Sequence, residues 1–247
     1  MEEPTKSWIQ DIKNSMTSIQ ETYKEYQGMI LTEGDLECHV FNALMAQENL
    51  KGYHNSKGNS LGFIVDEGER KTSFVHSQVT WFKENEKSGF EVDLTIGSPA
   101  LLEVVNIELF EEYTSKGFAY DGPAVAIELK FIRRKDKASQ TAHEDLLKIM
   151  NRLIPAKYAN IENDKYEISS KNNVAFVSIV GCKDEETYNL SKYYLGKHLM
   201  LTKGEAQDNL FVCLFSPEKI TWCKFDMIAE YNRVESEEKN KRQQKAL

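Results

Sequence analysis

The chain has 247 residues, 40% of them apolar, enough for one sizeable core, and its net charge of −8 pulls against a partner bound mainly through phosphate contacts. No apolar run approaches the roughly 20 residues that span a bilayer, and the polar start with Glu2, Glu3 and Lys6 lacks a signal-peptide core. A cytoplasmic protein without membrane contact is therefore expected. Cys38, Cys182, Cys213 and Cys223 form no Cys-x-x-Cys pair and read as buried reduced thiols, not as disulfides or zinc ligands.

In residues 5–27, Ile9, Ile12, Met16, Ile19, Tyr23 and Tyr26 recur at spacings of three and four, the mark of an amphipathic helix. Such a stripe must be covered, either by the chain's own core or by a second protomer; the short length and aromatic end favour the core. After Gly28, Thr32 is suited to cap a second helix with Glu33 and Asp35 in its first turn. Glu33 stands three residues before Leu36 and seven before Val40, which places it on the buried face, with Glu37 one turn on as its substitute. Residues 51–60 are a polar, glycine-containing loop in which Tyr53, His54 and Lys57 could touch nucleic acid. Residues 61–66 and 72–82 read as strands joined around Glu67-Gly68-Glu69-Arg70, with His76 and Gln78 opposite Val75, Val79 and Trp81.

The pattern sharpens in residues 90–96, Phe-Glu-Val-Asp-Leu-Thr-Ile, where alternation sets Asp93 against a face of Phe90, Val92, Leu94 and Ile96. Leu102, Val105, Leu109 and Tyr113, closed by Gly117, mark an inserted helix. Residues 125–131, Val-Ala-Ile-Glu-Leu-Lys-Phe, then form a central strand with Glu128 and Lys130 on one face. Buried charges of this kind are expensive unless a metal ion and a phosphate meet them. Arg133-Arg134-Lys135-Asp136-Lys137, net +3, reads as a basic turn directly after that strand, whereas residues 1–37 hold eight acids against three bases. Beyond it come a helix over 140–154 with Leu146, Ile149, Met150 and Leu153 inward and Lys148 and Arg152 outside the stripe. A strand over 173–180, a helix over 185–201 and a strand over 209–215 imply a parallel connection. A last helix from Phe225 to about Glu238 dissolves into a polar tail.

Asp93, the Glu128-Leu129-Lys130 half and the earlier helix acid Glu33 together resemble the PD-(D/E)XK nuclease superfamily, although Val92 stands where a Pro often precedes the Asp. The resemblance implies an α/β, restriction-endonuclease-like fold with a mixed central sheet flanked by helices, here with an added N-terminal helix and a helical insertion over 97–123. It implies one nuclease-like domain, with a helical extension over 1–31, a core over 32–215 and a C-terminal strand, helix and tail over 216–247. The activity implied is Mg²⁺-dependent hydrolysis of phosphodiester bonds, with Mn²⁺ as a substitute, on nucleic acid and DNA in particular. Asp93, Glu128 and the Leu129 carbonyl would hold the metal as hard oxygen ligands, Lys130 would position the attacking water, and Glu33 would act from the helix. Arg133, Arg134, Lys135 and Lys57 become candidate backbone contacts. Restriction or other defence, repair and mobile-element processing all remain open as settings, as does assembly with a second copy or a partner subunit. The rival class is a nuclease-like binding or assembly module without catalysis, which would have no reason to keep Asp93, Glu128 and Lys130 together.

Overall fold

The protein was characterised as a computed structural model, which describes residues 4–53, 71–81, 90–97, 102–104, 118–120, 123–153, 174–201 and 208–245. In chain order its helices and strands begin with α1 (Thr5–Glu25), α2 (Glu33–Ala46), β1 (Lys51–Tyr53), β2 (Lys71–Ser73), β3 (Val75–Trp81) and β4 (Phe90–Gly97). There follow β5 (Leu102–Val104), β6 (Phe118–Tyr120), β7 (Ala124–Ile132), α3 (Lys135–Thr141) and α4 (Glu144–Lys148), the last continued by one π turn, Ile149–Leu153. The chain closes with β8 (Val174–Cys182), α5 (Glu185–Leu201), β9 (Leu210–Phe215), β10 (Ile220–Thr221) and α6 (Lys224–Lys245).

Two apolar runs decide the architecture. In β7 every residue but Lys130 is buried, and in β8 all are, the signature of strands covered on both faces. They pair in parallel at the middle of a mixed six-stranded sheet of order β10-β9-β8-β7-β4-β3; β9 is parallel to β8, while β3, β4 and β10 run antiparallel to their neighbours. Helix α5 carries the chain from β8 to β9, as parallel strands require. β1 pairs with β2 and β5 with β6 in two small separate ribbons. Helices lie on both sides of the main sheet.

On one side Trp8, Ile9, Ile12, Met16, Ile19 and Tyr23 of α1 join Leu36, Val40 and Leu44 of α2 against Leu94, Ile127, Leu129, Phe131, Val177 and Phe215. The α1 stripe is thus covered by its own chain, each such side chain contributing roughly 1.5–3 kcal/mol of burial. Tyr26 does not belong to it: the helix ends at Glu25, and Tyr26 is exposed. On the other side Ala138, Leu146, Ile149, Tyr188, Leu195, Leu199 and Met227 cover Ala126, Ile132, Phe176, Val180 and Leu214. α6 approaches α5 so closely that a Cβ at Gly196 would lie 2.0 Å from the Met227 carbonyl oxygen, which leaves only glycine at that position.

Several expectations are corrected. The strand expected over 72–82 is two, because the Phe74 amide donates to Leu50 O and its carbonyl accepts from Gly97, both at 2.8 Å, turning the chain there. Leu102–Val104 is a strand, where an inserted helix was expected; Val105, Leu109, Tyr113 and Gly117 lie outside the described residues, as do the strand over 61–66 and the turn at Glu67 to Arg70. The basic stretch is not a turn, since α3 begins at Lys135, and the helix expected over 140–154 is instead α3, α4 and a π turn. α6 continues to Lys245, with Arg233–Glu237 at its middle and Arg242–Glu238 in its last turns paired at i, i+4. Cys182 and Cys213 are buried thiols as expected, but Cys38 and Cys223 are exposed. No helix among the described residues is long and apolar enough to cross a membrane.

Candidate active site

The site begins where a ladder stops. β4 and β7 are paired from Gly97↔Ala124 to Leu94↔Ile127, and the register ends there. In the adjoining strand the pairs Ser77↔Leu94 and Val79↔Val92 set Gln78 opposite Asp93, and Gln78 has φ 53, left-handed backbone that a residue with a Cβ adopts at a cost of about 1 kcal/mol. Val75 and Leu94 belong to the core beneath α1 and α2, whereas Val79 and Val92 belong to the opposite one. The β3–β4 ribbon therefore turns over at Gln78 and Asp93. This corrects the simple alternation expected for residues 90–96, in which Val92 and Leu94 share a face.

Turning β4 away leaves amides on that side of β7 without a strand partner, and a buried N–H must be satisfied. Two carboxylates take over. Leu129 N–H donates to Asp93 Oδ2 at 2.7 Å, and Phe131 N–H donates to Glu33 Oε2 at 3.3 Å. An extended residue's N–H and C=O point the same way, so the Leu129 carbonyl faces the gap that Asp93 borders. Glu33 is free for this because Asp35 does the capping of α2: its carboxylate accepts from Thr32 N–H at 2.8 Å and Leu31 N–H at 3.0 Å, while Thr32 Oγ1 accepts from Asp35 N–H. These bonds hold the Asp35 carboxyl below its ordinary range, the Thr32 contact first. Glu33 was expected on the buried face of α2; it sits at the rim instead, its side chain 49% exposed.

Glu128 and Lys130 alternate with Ile127, Leu129 and Phe131 and so face α3 and α4. Lys130 Nζ bridges the two helical layers across the open end, 3.2 Å from Glu33 Oε2 and 3.4 Å from Asp145 Oδ2. Glu128, 1% exposed, meets Lys148 Nζ at 2.7 Å from Oε1 and 2.8 Å from Oε2, and the same ammonium donates to the Glu91 carbonyl at 2.6 Å. Asp145 and Lys148 were not anticipated. The signal available was an Asp-x-x-Lys spacing beside the Leu146 and Ile149 stripe, one helix after the Glu-x-Lys strand, but a stripe drawn through one continuous helix puts Lys148 in solvent.

The charges at this end are out of balance. Burial, with help from Asp93, pushes the Glu128 carboxyl up to about 8, against the pull of Lys148. Burial raises Asp93 as well, opposed by the Leu129 amide and Lys148, and pushes Asp145 up to about 6 against Lys130. Glu37, one turn beyond Glu33, is raised by burial and by the charges of Asp93, Glu33 and Glu91. For Lys130 burial acts downward, but the Asp145 and Glu33 carboxylates outweigh it and hold the ammonium above its ordinary value. Lys130 is thus a fixed cation at neutral pH, fit to stabilise charge and unfit to take up a proton.

Among the described residues no group of three or more His, Cys, Asp or Glu side chains is placed as a ready-made metal cluster. Two raised carboxyls, Asp93 and Glu128, and one backbone carbonyl nevertheless form a hard-oxygen donor set. They suit an octahedral cation that keeps several waters, as Mg²⁺ does. Of the expected basic contacts, Arg134 is bonded to Asp136 at 2.8 and 3.0 Å and Lys135 is paired with Glu186; Lys57 lies outside the described residues. No protein-family model, curated protein or solved structure matches this chain.

Proposed function

We propose that this chain is a metal-dependent endonuclease with a restriction-endonuclease-like fold, hydrolysing phosphodiester bonds of DNA with Mg²⁺, or with Mn²⁺ in its place. The observation that carries this reading is the convergence of Asp93, Glu128 and Lys130 at the point where β4 leaves β7, with Glu33 from α2 holding Lys130 at 3.2 Å. Asp93, Glu128 and the Leu129 carbonyl would hold the cation. When bound, it supplies Lewis-acid polarisation of the phosphate and a water of lowered pKa.

The chain's own residues account for the rest. Lys130, permanently protonated between Asp145 and Glu33, presents a positive charge to the negative charge that builds on the phosphate during hydrolysis. Glu33 fixes its orientation and is itself fixed by the Phe131 amide. Arg133, Arg134 and Lys135 leave the end of β7 on the exposed side, where a nucleic-acid backbone crossing the gap would pass them. The pairs that Arg134 and Lys135 make are exposed and screened by solvent, so they yield readily to phosphate.

The test is to incubate purified protein with plasmid, linear and single-stranded DNA in Mg²⁺, Mn²⁺ or EDTA, beside Asp93→Ala and Glu128→Ala. Cleavage with either metal, and its loss in EDTA and in both variants, is expected. Intact DNA throughout, from a folded protein, would leave a binding or assembly module as the better reading.

A further inference from the structure

The contact between Lys148 and Glu128 does something that an ordinary ion pair does not. Nζ stands almost equidistant from the two carboxylate oxygens, at 2.7 and 2.8 Å, with the Glu91 carbonyl at 2.6 Å as a third oxygen. Only Oε2 receives a proper hydrogen bond; Oε1, on a side chain 99% shielded from solvent, has no hydrogen-bond partner. A point charge between both oxygens of a carboxylate, with a backbone carbonyl alongside, is the arrangement in which a hard cation is bound. The lysine also has somewhere to go. Its side chain is 26% exposed, and it is the last residue of α4 before the π turn Ile149–Leu153, a type of break in helical bonding that recurs at functional sites.

Building on the metal site proposed above, we infer that Lys148 is a resident counter-ion, seated on Glu128 when no metal is bound and displaced from it by the divalent cation. Its ammonium offsets part of the cost of burying the Glu128 carboxylate while no metal is bound. Because lysine and metal both claim the Glu128 carboxylate, the lysine lowers metal affinity and the metal frees the lysine.

Calorimetric titration of the whole chain with Mn²⁺ tests this, comparing the wild type with Lys148→Met and with Glu128→Gln as a control that removes the shared carboxylate. The expected result is Mn²⁺ bound about tenfold more tightly by Lys148→Met, the scale of removing one nearby positive charge at a half-buried site, and little binding by Glu128→Gln. Equal or weaker binding by a folded Lys148→Met would show that the lysine does not occupy the metal's place. Absence of Mn²⁺ binding in both the wild type and Lys148→Met would remove the metal site itself. If Lys148→Met fails to fold, the wild type still decides the matter. Acetylation of Lys148 by a small anhydride, quantified by mass spectrometry, should rise several-fold on adding Mn²⁺ relative to the exposed Lys241; unchanged labelling in the presence of bound metal overturns the displacement.

Discussion

The two halves of β7 lie end to end in one strand and do opposite things. From Ala124 to Ile127 the strand is bonded to β4 on one side and β8 on the other, and every side chain is apolar and buried. From Glu128 to Phe131 the β8 ladder continues, but on the other side carboxylates from Asp93 and Glu33 stand in for the departed strand. Closing a ladder on both sides leaves nothing for chemistry. Opening it on one side supplies amide donors that fix acidic side chains in place, and there burial, with the charge of Glu33 adding to it, raises the Asp93 carboxyl. The closed half positions the carboxylates of the open one.

The comparison breaks most visibly in activity. Asp93→Ala or Glu128→Ala should lower metal-dependent DNA cleavage by about 10³-fold or more, roughly 4 kcal/mol of transition-state stabilisation, while Ile127→Ala should leave the cleavage rate per folded molecule near that of the wild type. Plasmid nicking at equal folded concentration measures both. Next comes the closed half itself. Ile127 is completely buried, so Ile127→Ala should cost about 2–5 kcal/mol, read as a lower urea midpoint at unchanged slope.

The open half should answer in the opposite direction, and its pH dependence gives the sign. Glu128 titrates near 8 in the folded chain against about 4.5 unfolded, so between those values the folded state binds more protons and stability falls as pH rises. Glu128→Gln escapes that loss. Without metal it should be more stable than the wild type by about 1–3 kcal/mol at pH 8 and by much less at pH 5, in paired urea titrations. A variant less stable than the wild type at pH 8 would mean that the Lys148 contact outweighs burial. The smallest effect belongs to the hinge of the opening. Gln78→Gly relieves the left-handed backbone at φ 53 and should raise stability by about 0.5–1 kcal/mol, whereas Gln78→Val should lower it.

Much of the closed half was legible in the sequence, because apolar runs such as Ala124 to Ile127 and Val174 to Val180 leave a central strand as the natural reading. Asp93, Glu128 and Lys130 also stood out, as charges set in apolar strands. The structure brings those three to one end of β7, with the expected helix acid Glu33 against Lys130, although at the rim of α2 and not on its buried face. Lys148 and Asp145 were hidden for a physical reason. Helical periodicity assigns faces only along an unbroken helix, and the break between Thr141 and Glu144, followed by the π turn, resets the face that meets the sheet. The turnover of β4 was hidden likewise, since Val92 and Leu94 alternate perfectly in sequence while backbone strain in another strand, at Gln78, sends them to opposite cores.

The central claim is that the open half of β7 is a divalent-cation site. A crystal structure of the wild-type chain grown with Mn²⁺, with anomalous diffraction recorded at the manganese edge, examines it most directly. The predicted result is one strong anomalous peak coordinated by Asp93, Glu128 and the Leu129 carbonyl at roughly 2.0–2.3 Å, the range of hard-oxygen ligation, with Lys148 drawn off Glu128. Crystals in which the gap carries no anomalous peak, with Lys148 still seated on Glu128 at saturating Mn²⁺, would contradict it.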